Sequence, residues 1–279
     1  MESHYVFESL LKELDNKRRY IKKNQVDPDE IEHDFLTEEA NQHSARIEKP
    51  IALVYDPNID EEMKLIRRRE FDYFKNSLEK AWNFGRNNVN LPLKEEDIKK
   101  LAGLIDSNFF ESYSDEFSRE KIAPYRRITE GVRASGSKYT PPYPAKVPKE
   151  MDKFLKNVRD LTDLLKKGQL HPVELASFTH FNLVRIHPFP DANGRTSRMI
   201  QDIILRKYNF PAAAIREGER RTYCSLLENA VGGYLSRDNS ELFKISDEER
   251  RFYTFLVDKV NVSLDYILDK HQIKNISNN

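Results

Sequence analysis

The sequence is poor in cysteine and carries no net charge. A single cysteine, Cys224, among 279 residues cannot form an intramolecular disulfide. The 46 basic side chains balance 46 acidic ones, so no overall field attracts nucleic acid or an anionic membrane surface. No apolar stretch approaches the roughly 20 residues that cross a bilayer, and the first residues lack the basic start and apolar run of a signal peptide. These absences predict a protein of the reducing cytoplasm that binds neither nucleic acid nor membrane.

Glycine is also scarce, with 9 residues, whereas charged residues make up 33% of the chain. This balance favours long helices with solvated outer faces over a strand-rich fold. Apolar residues recur at helical spacing in several stretches. These stretches are 6–14, 63–82, 98–105, 151–165, 173–186, 199–208, 226–234 and 252–268. The sequence therefore predicts a mostly α-helical protein.

One break in the helical pattern is the segment ITEGVRASGSKYTPPYPAKVP, residues 128–148. Side chains alternate around Gly136, and several prolines follow, of which Pro148 is the last. Because proline disfavours the interior of a helix, the segment predicts a short β-hairpin followed by an extended loop.

The second break is the segment RIHPFPDANGRTSRM, residues 185–199. Two prolines end one helix, turn-forming residues follow, and a new helix is expected to begin near Arg195 or Thr196. The first N–H groups of a helix lack intrahelical partners and carry the positive end of its dipole, and Gly194 lets the backbone approach a ligand closely. The segment therefore predicts an anion-binding site at the start of a helix.

Charged side chains surround this predicted anion site. Arg195 and Arg198 are three residues apart, so both guanidinium groups can reach one polyphosphate. Asp191 precedes them, and a carboxylate beside phosphates is a usual ligand of partly hydrated Mg²⁺. His187 has an ordinary pKa near neutrality and can take a proton from a hydroxyl that attacks phosphorus. Each residue alone has an ordinary structural explanation, but together they predict a catalytic site.

The string HPFPDANGRTSR resembles the signature loop of the Fic family, HxFx(D/E)(G/A)N(G/K)RxxR, at every specified position. The similarity extends over roughly Leu91 to Tyr234, where GSKYTPPYPAKVP is similar to the family's flap segment. The resemblance implies a mostly α fold, with a Fic-type helical core, a small β-hairpin flap and an N-terminal helical arm. It divides the chain into an N-terminal helical region with an inhibitory helix (1–90), a Fic core (91–235) and a C-terminal helical extension (236–279).

Carried over by position, the resemblance implies a protein adenylyltransferase that moves AMP from ATP, with Mg²⁺, to a hydroxyl side chain of a target protein. His187 is then the base, and Asp191 binds the Mg²⁺ that bridges the α- and β-phosphates. The remaining positions of the loop hold phosphates: Asn193, Gly194 and Arg195 generally, and Arg198 the γ-phosphate. Glycine and arginine at positions 194 and 195 match the adenylylating branch of the family better than the kinase-like Doc branch, which resembles ANKR there.

The resemblance also assigns residues outside the loop. The flap, with Val132, Ser137, Lys138 and Tyr139, is expected to pair its edge with an extended segment of the target and to bring a Ser, Thr or Tyr hydroxyl to the base. In the segment ERRTYCSLLENA, Tyr223 is predicted to stack on the nucleobase.

Upstream, EEANQHSARIEK resembles the family's inhibitory motif (S/T)xxxE(G/N). Ser44 and Glu48 occupy its two strongest positions, while Lys49 stands where Gly or Asn is usual. The resemblance implies that Glu48 pairs with Arg198 and inhibits the resting enzyme. An ordinary helix end before Pro50 would account for the same residues.

Other functions fit parts of the sequence. Within the family, the chain could remove AMP, with Glu48 orienting water, or use another donor such as UTP or a phosphocholine nucleotide. A metal hydrolase could use His180, His187 and Asp191, provided that one helix continues through both histidines. A nucleotide-binding adaptor without turnover is a further alternative, against which the intact His187 argues. A homodimer is compatible with the sequence.

Overall fold

The computed structural model describes residues 5–23, 40, 43–44, 61–105, 122–127, 139–238 and 241–277. The α-helices of this part are α1 (Glu8–Lys23), α2 (Glu61–Asn88), α3 (Glu95–Ile105), α4 (Val147–Lys166), α5 (Pro172–Ile186), α6 (Asn193–Lys207), α7 (Arg220–Ser236) and α8 (Asp247–Ser277). No strand occurs among these residues, so the prediction of a mostly α fold is confirmed. Residues 128–138, which include most of the predicted hairpin with Val132, Ser137 and Lys138, lie outside the described residues, as does Glu48.

The predicted extended loop up to Pro148 is wrong at its end. A 3₁₀ turn spans Pro144–Lys146, and α4 begins at Val147. Pro148 therefore lies in the first turn of α4. Proline is tolerated there because the N–H that it lacks would have no intrahelical partner in any case.

Helix α5 forms the centre of the fold. Every residue from Val173 to Ile186 is buried, polar ones included. A helix that is buried on all sides must be enclosed by other elements, and α5 packs against α4, α6 and α8. The residues that follow Ile186 therefore leave from a rigidly held helix end.

The start of α5 is fixed by a reciprocal cap. The His171 imidazole Nδ1 accepts a hydrogen bond from the Val173 N–H at 3.2 Å, and the Glu174 carboxylate accepts one from the His171 N–H at 3.4 Å. Pro172, the first helical residue, favours the same start.

The N-terminal arm contacts the residues that cap α5. The buried Glu174 carboxylate also accepts the Tyr5 N–H at 2.8 Å, and Asp15 of α1 lies 3.4 Å from His171 Nε2. The hydrogen bond with His171 lowers the pKa of the Asp15 carboxyl from its ordinary value. At the same time α1 packs on α8, so the predicted N-terminal helical arm is confirmed. Within the described part of the chain, no helix is both long and apolar enough to cross a bilayer.

Candidate active site

His187 ends helix α5 in a left-handed backbone conformation. Its φ and ψ are 52° and 58°, and its N–H donates to the Leu183 carbonyl at 2.9 Å. Pro188 follows, so the helix ends where the sequence predicts. The side chain is 9% exposed, which puts the imidazole at the edge of the core and not on the open surface.

Asn193 closes the loop after His187. Its Oδ1 accepts the Phe189 N–H, and its Nδ2 donates to the Phe189 carbonyl, both at 2.8 Å. Phe189 is 1% exposed, and its ring centroid lies 6.1 Å from that of Tyr125. The Asn193 amide is therefore engaged in holding the loop. Its predicted contribution to a phosphate site would come through the shape of the backbone.

Helix α6 begins at Asn193, earlier than the start near Arg195 or Thr196 that the sequence predicts. Ala192 precedes it with φ 64°, a left-handed conformation that costs a non-glycine residue about 1–2 kcal/mol. The paired hydrogen bonds between Asn193 and Phe189 offset this cost. No side chain of the described residues caps the start of α6. Gly194 and Arg195 lie in this first turn, where N–H groups point out of the helix.

Asp191 lies directly before this helix and is 65% exposed. Its Oδ1 accepts the Ala192 N–H at 2.6 Å, and its Oδ2 accepts Arg195 Nη2 at 3.0 Å. Arg195 itself is 2% exposed. An exposed, backbone-oriented carboxylate with remaining lone pairs fits the chemistry of Mg²⁺, which uses one or two protein carboxylates together with substrate phosphates.

Arg198 is 5% exposed and is joined to the N-terminal region by two hydrogen bonds. Its Nε donates to Ser44 Oγ at 2.8 Å, and its Nη2 donates to the Ser44 carbonyl at 3.2 Å. The neighbouring His43 accepts the Glu217 N–H at Nδ1, at 3.3 Å. The structure thus brings Ser44, a residue of the predicted inhibitory motif, to Arg198, the predicted partner of Glu48.

His180 is fully buried and belongs to the core. Its Nδ1 lies 2.6 Å from Gln201 Oε1, which can only accept, so Nδ1 donates and Nε2 accepts the Tyr223 hydroxyl at 3.0 Å. Burial, together with the charge of Arg198, lowers the pKa of His180 to about 3. Both nitrogens of the neutral ring are engaged.

These contacts contradict the metal hydrolase alternative. The left-handed residue His187 breaks the helical alignment with His180 that this alternative requires. Moreover, no group of three His, Cys, Asp or Glu side chains in the described residues could hold a metal ion. The seven-residue spacing therefore reflects a buried core histidine followed by a helix end.

Tyr223 is 4% exposed and packs in the core. Its ring centroid lies 5.8 Å from those of both His180 and Phe252, and 6.4 Å from that of Phe255. The structure does not bring Tyr223 to an open surface, as stacking on a nucleobase requires. The helical spacing of the surrounding segment fits a core position equally well, so the sequence could not separate the two.

The flap residue Tyr139 is 8% exposed. Its hydroxyl donates to the Val184 carbonyl at 2.5 Å, and burial raises the pKa of this phenol well above its ordinary value. Tyr139 therefore anchors the flap segment to α5. Its neutral hydroxyl satisfies a carbonyl within a buried helix.

Arg126 lies next to His187, although the sequence pattern does not single it out. Its Nε donates to the His187 carbonyl at 2.6 Å, across 61 residues of sequence. The described segment around it, residues 122–127, is not helical. The only signal in the sequence is its position shortly before the flap.

Asp202 of α6 is a buried carboxyl that interacts with Arg198 and Gln201. Its Oδ1 accepts the Ala213 N–H at 2.9 Å, and the residue is 8% exposed. Burial raises the pKa of Asp202 to about 7, although the Ala213 N–H and Arg198 act in the opposite direction. The folded protein therefore favours the neutral acid below neutral pH.

The variant Asp202→Asn should flatten the dependence of stability on pH. Between the ordinary pKa of 3.8 and the raised value of about 7, the folded protein keeps a proton that the unfolded chain has lost. Stability from this group is therefore full below about pH 4 and falls as the pH rises to about 7. Between pH 5 and pH 8, the free energy of unfolding measured with urea should fall by about 2–4 kcal/mol more in wild type than in Asp202→Asn. Asn keeps the acceptor for Ala213. Exposed Asp160→Asn is the control, and parallel profiles for wild type and Asp202→Asn would refute the assignment.

Comparison with known protein families gives a match that includes the loop between α5 and α6. Residues 92–205 match the model described as the Fic/DOC family. The chain is 40% identical over 99 residues to the protein adenylyltransferase Fic of Nematostella vectensis, covering 35% of this chain and 22% of that protein. It is 31% identical over 130 residues to the protein of the same name from Drosophila willistoni, covering 47% and 22%. The matched part thus spans about a fifth of the length of these relatives.

Solved structures extend the similarity over most of the fold. A Fic domain containing signaling protein from Bacteroides thetaiotaomicron aligns with a TM-score of 0.63 at 20% identity, covering 93% of this chain and 98% of that one. Fic-1 from C. elegans aligns with a TM-score of 0.66 at 18% identity, covering 95% and 73%. At these identities the likeness shows the fold alone. The family match and the relatives together show that residues 92–205 form a Fic/DOC domain.

Proposed function

We propose that this chain is a protein adenylyltransferase, which transfers AMP from ATP to a Ser, Thr or Tyr hydroxyl of a target protein. The observation that carries the proposal is the loop between α5 and α6. It combines an imidazole at the end of a buried helix, an exposed carboxylate, and a helix start that no described side chain caps. The curated relatives that share this part of the chain are named protein adenylyltransferases.

His187 acts as the general base in this reaction. The target hydroxyl oxygen attacks the α-phosphorus of ATP, and its proton passes to the imidazole. A new bond forms between that oxygen and the α-phosphorus. The bond from the α-phosphorus to the oxygen that bridges to the β-phosphate breaks, and pyrophosphate leaves. The products are a target protein that carries AMP on its side chain and pyrophosphate.

The start of α6 binds the phosphates. Backbone N–H groups around Gly194 present the positive end of the helix dipole to the anion. Arg195 is buried beside Asp191 and supplies a fixed positive charge to the same turn. Arg198, one turn further on, engages the γ-phosphate once Ser44 has left it.

Asp191 would hold Mg²⁺ through the part of its carboxylate that faces solvent. Bound there, the ion would neutralise charge on the phosphates and on the leaving pyrophosphate. Asp191 is oriented by the Ala192 N–H and by Arg195, so its oxygens are held in place before nucleotide arrives.

The N-terminal segment inhibits the resting enzyme. Ser44 occupies two donors of Arg198, and His43 engages the backbone at Glu217, so the segment is held at both the phosphate site and the loop before α7. Glu48 follows Ser44 by four residues and supplies a carboxylate that competes with the γ-phosphate for Arg198. Release of this segment frees the guanidinium for ATP.

Labelling with isotopic ATP tests the reaction. Incubation of the protein with a cell lysate and ATP labelled at the α-phosphate should modify proteins by the mass of AMP, whereas label at the γ-phosphate should not be transferred. Transfer should require Mg²⁺ and should be lost in Asp191→Ala but not in Asp160→Ala, an exposed carboxylate on α4. Transfer of the γ-label would instead indicate a kinase. Loss of AMP from a previously modified protein, without any gain, would favour the removal reaction.

A further inference from the structure

The backbone of His187 adopts a conformation that needs support. A left-handed backbone costs a non-glycine residue about 1–2 kcal/mol and persists only where the surroundings enforce it. The His187 N–H is satisfied by the Leu183 carbonyl within α5. The carbonyls of His187 and Pro188 lie beyond the end of the helix and must find partners elsewhere.

Arg126 supplies those partners. It is 3% exposed, and its Nε donates to the His187 carbonyl at 2.6 Å. Its own backbone N–H donates to the Pro188 carbonyl at 2.9 Å. Its Nη2 donates to the carbonyl of Pro142, three residues after the anchored Tyr139. Because the donors of a guanidinium are fixed in one plane, the carbonyls of His187 and Pro142 are held at a defined separation.

The segment that carries Arg126 is itself attached to a helix of the core. The Ala123 N–H donates to the Lys99 carbonyl of α3 at 3.0 Å, and Lys99 Nζ lies 4.1 Å from the centre of the Tyr125 ring. Tyr125 also contacts Phe189 of the loop. Arg126 therefore connects the His187 backbone to α3 through a short, doubly attached segment.

We propose that Arg126 is a positioning residue, which holds the backbone of His187 so that its imidazole meets the target hydroxyl, and which links that backbone to Pro142 of the flap segment. The inference rests on the proposed AMP transfer. The hydrogen bonds of Arg126 reach the carbonyls of His187, Pro188 and Pro142, which precede Asp191 and the phosphate-binding turn in the sequence. Its loss should therefore slow the chemical step and leave ATP affinity largely unchanged.

The test compares Arg126→Gln, Arg126→Lys and the control Arg127→Gln, which alters the exposed neighbouring arginine. The rate of self-labelling at saturating ATP should fall about 10²-fold in Arg126→Gln, the scale expected when a reacting group is misplaced by about 1 Å. The ATP concentration for half-maximal rate should change less than about twofold. Arg126→Lys should recover part of the rate because an ammonium can still bind one carbonyl. Arg127→Gln should match wild type.

A second measurement does not depend on AMP transfer. The His187 imidazole signal, assigned by its loss in His187→Ala, is followed by NMR over a pH titration in each variant. We expect its chemical shift and titration midpoint to move in both Arg126 variants and to stay unchanged in Arg127→Gln. An identical signal in all variants would overturn the positioning role, even if wild type transfers no AMP. An Arg126→Gln protein with the wild-type rate would overturn it as well, and should Arg126→Gln not fold, Arg126→Lys decides both measurements.

Discussion

Substitution of His187 by alanine should abolish AMP transfer and leave the affinity for ATP nearly unchanged. A general base acts on the attacking hydroxyl and makes no contribution to the binding of the phosphates. Removal of such a base typically costs about 10²–10⁴-fold in rate. The measurement is the transfer rate from α-labelled ATP, combined with calorimetric titration of ATP and Mg²⁺.

The His187 variant needs a folding control because this residue also ends α5 in a left-handed conformation. His187→Asn keeps a residue that tolerates this conformation but removes the imidazole, so it should lose activity to the same extent while melting close to wild type. Undiminished transfer in His187→Asn would exclude His187 as the base, whereas parallel loss of ATP binding and transfer would indicate a structural role.

Local chemistry explains why the sequence predicts the loop well. Pro188 ends α5, and a helix begins shortly after Asp191, and both outcomes depend on residues within a few positions. The sequence predicts the start of α6 a few residues late. The hydrogen bonds from Asn193 back to Phe189, which permit a left-handed Ala192, leave no signal in the local sequence pattern.

Long-range contacts explain what the sequence does not reveal. Arg126 reaches His187 across 61 residues, and His180 reaches Tyr223 across 43. No periodicity or local motif encodes which buried donor meets which carbonyl, since that depends on how the helices pack. Tyr223 illustrates the difficulty, because an aromatic residue at helical spacing fits either a core position or a nucleobase platform.

The N-terminal segment contacts α6 at Ser44, which belongs to the predicted inhibitory motif. The contact between Ser44 and Arg198 joins residues 154 positions apart, which the helical pattern alone would not indicate. Besides the motif resemblance, this contact identifies Ser44 as a group with which a bound nucleotide would compete for Arg198. The carboxylate of Glu48 is the stronger expected competitor because a negatively charged acceptor binds a guanidinium more strongly than a neutral hydroxyl does.

The variant Glu48→Gly should therefore increase AMP transfer strongly, most visibly as self-labelling, with a smaller gain in ATP affinity. A carboxylate near Arg198 repels the incoming γ-phosphate, so that ATP binds with its α-phosphate out of line for attack. Ser44→Ala should produce a smaller gain. It removes the Oγ acceptor of Arg198 Nε, a hydrogen bond to a charged group worth about 1.5–3 kcal/mol, but leaves the bond from Nη2 to the Ser44 carbonyl.

Arg198→Ala separates inhibition from a general loosening of the fold. This change also releases Ser44 and Glu48, yet it deletes the proposed γ-phosphate contact, so no gain in transfer should follow. The double variant Glu48→Gly with Arg198→Ala should be no faster than Arg198→Ala alone, because both changes act through the same guanidinium. Labelling rates of the wild type and these variants at saturating ATP and Mg²⁺ decide the matter. Equal rates for wild type and Glu48→Gly would remove the inhibitory role, and Ser44 would then be a structural contact that fastens the N-terminal segment to α6.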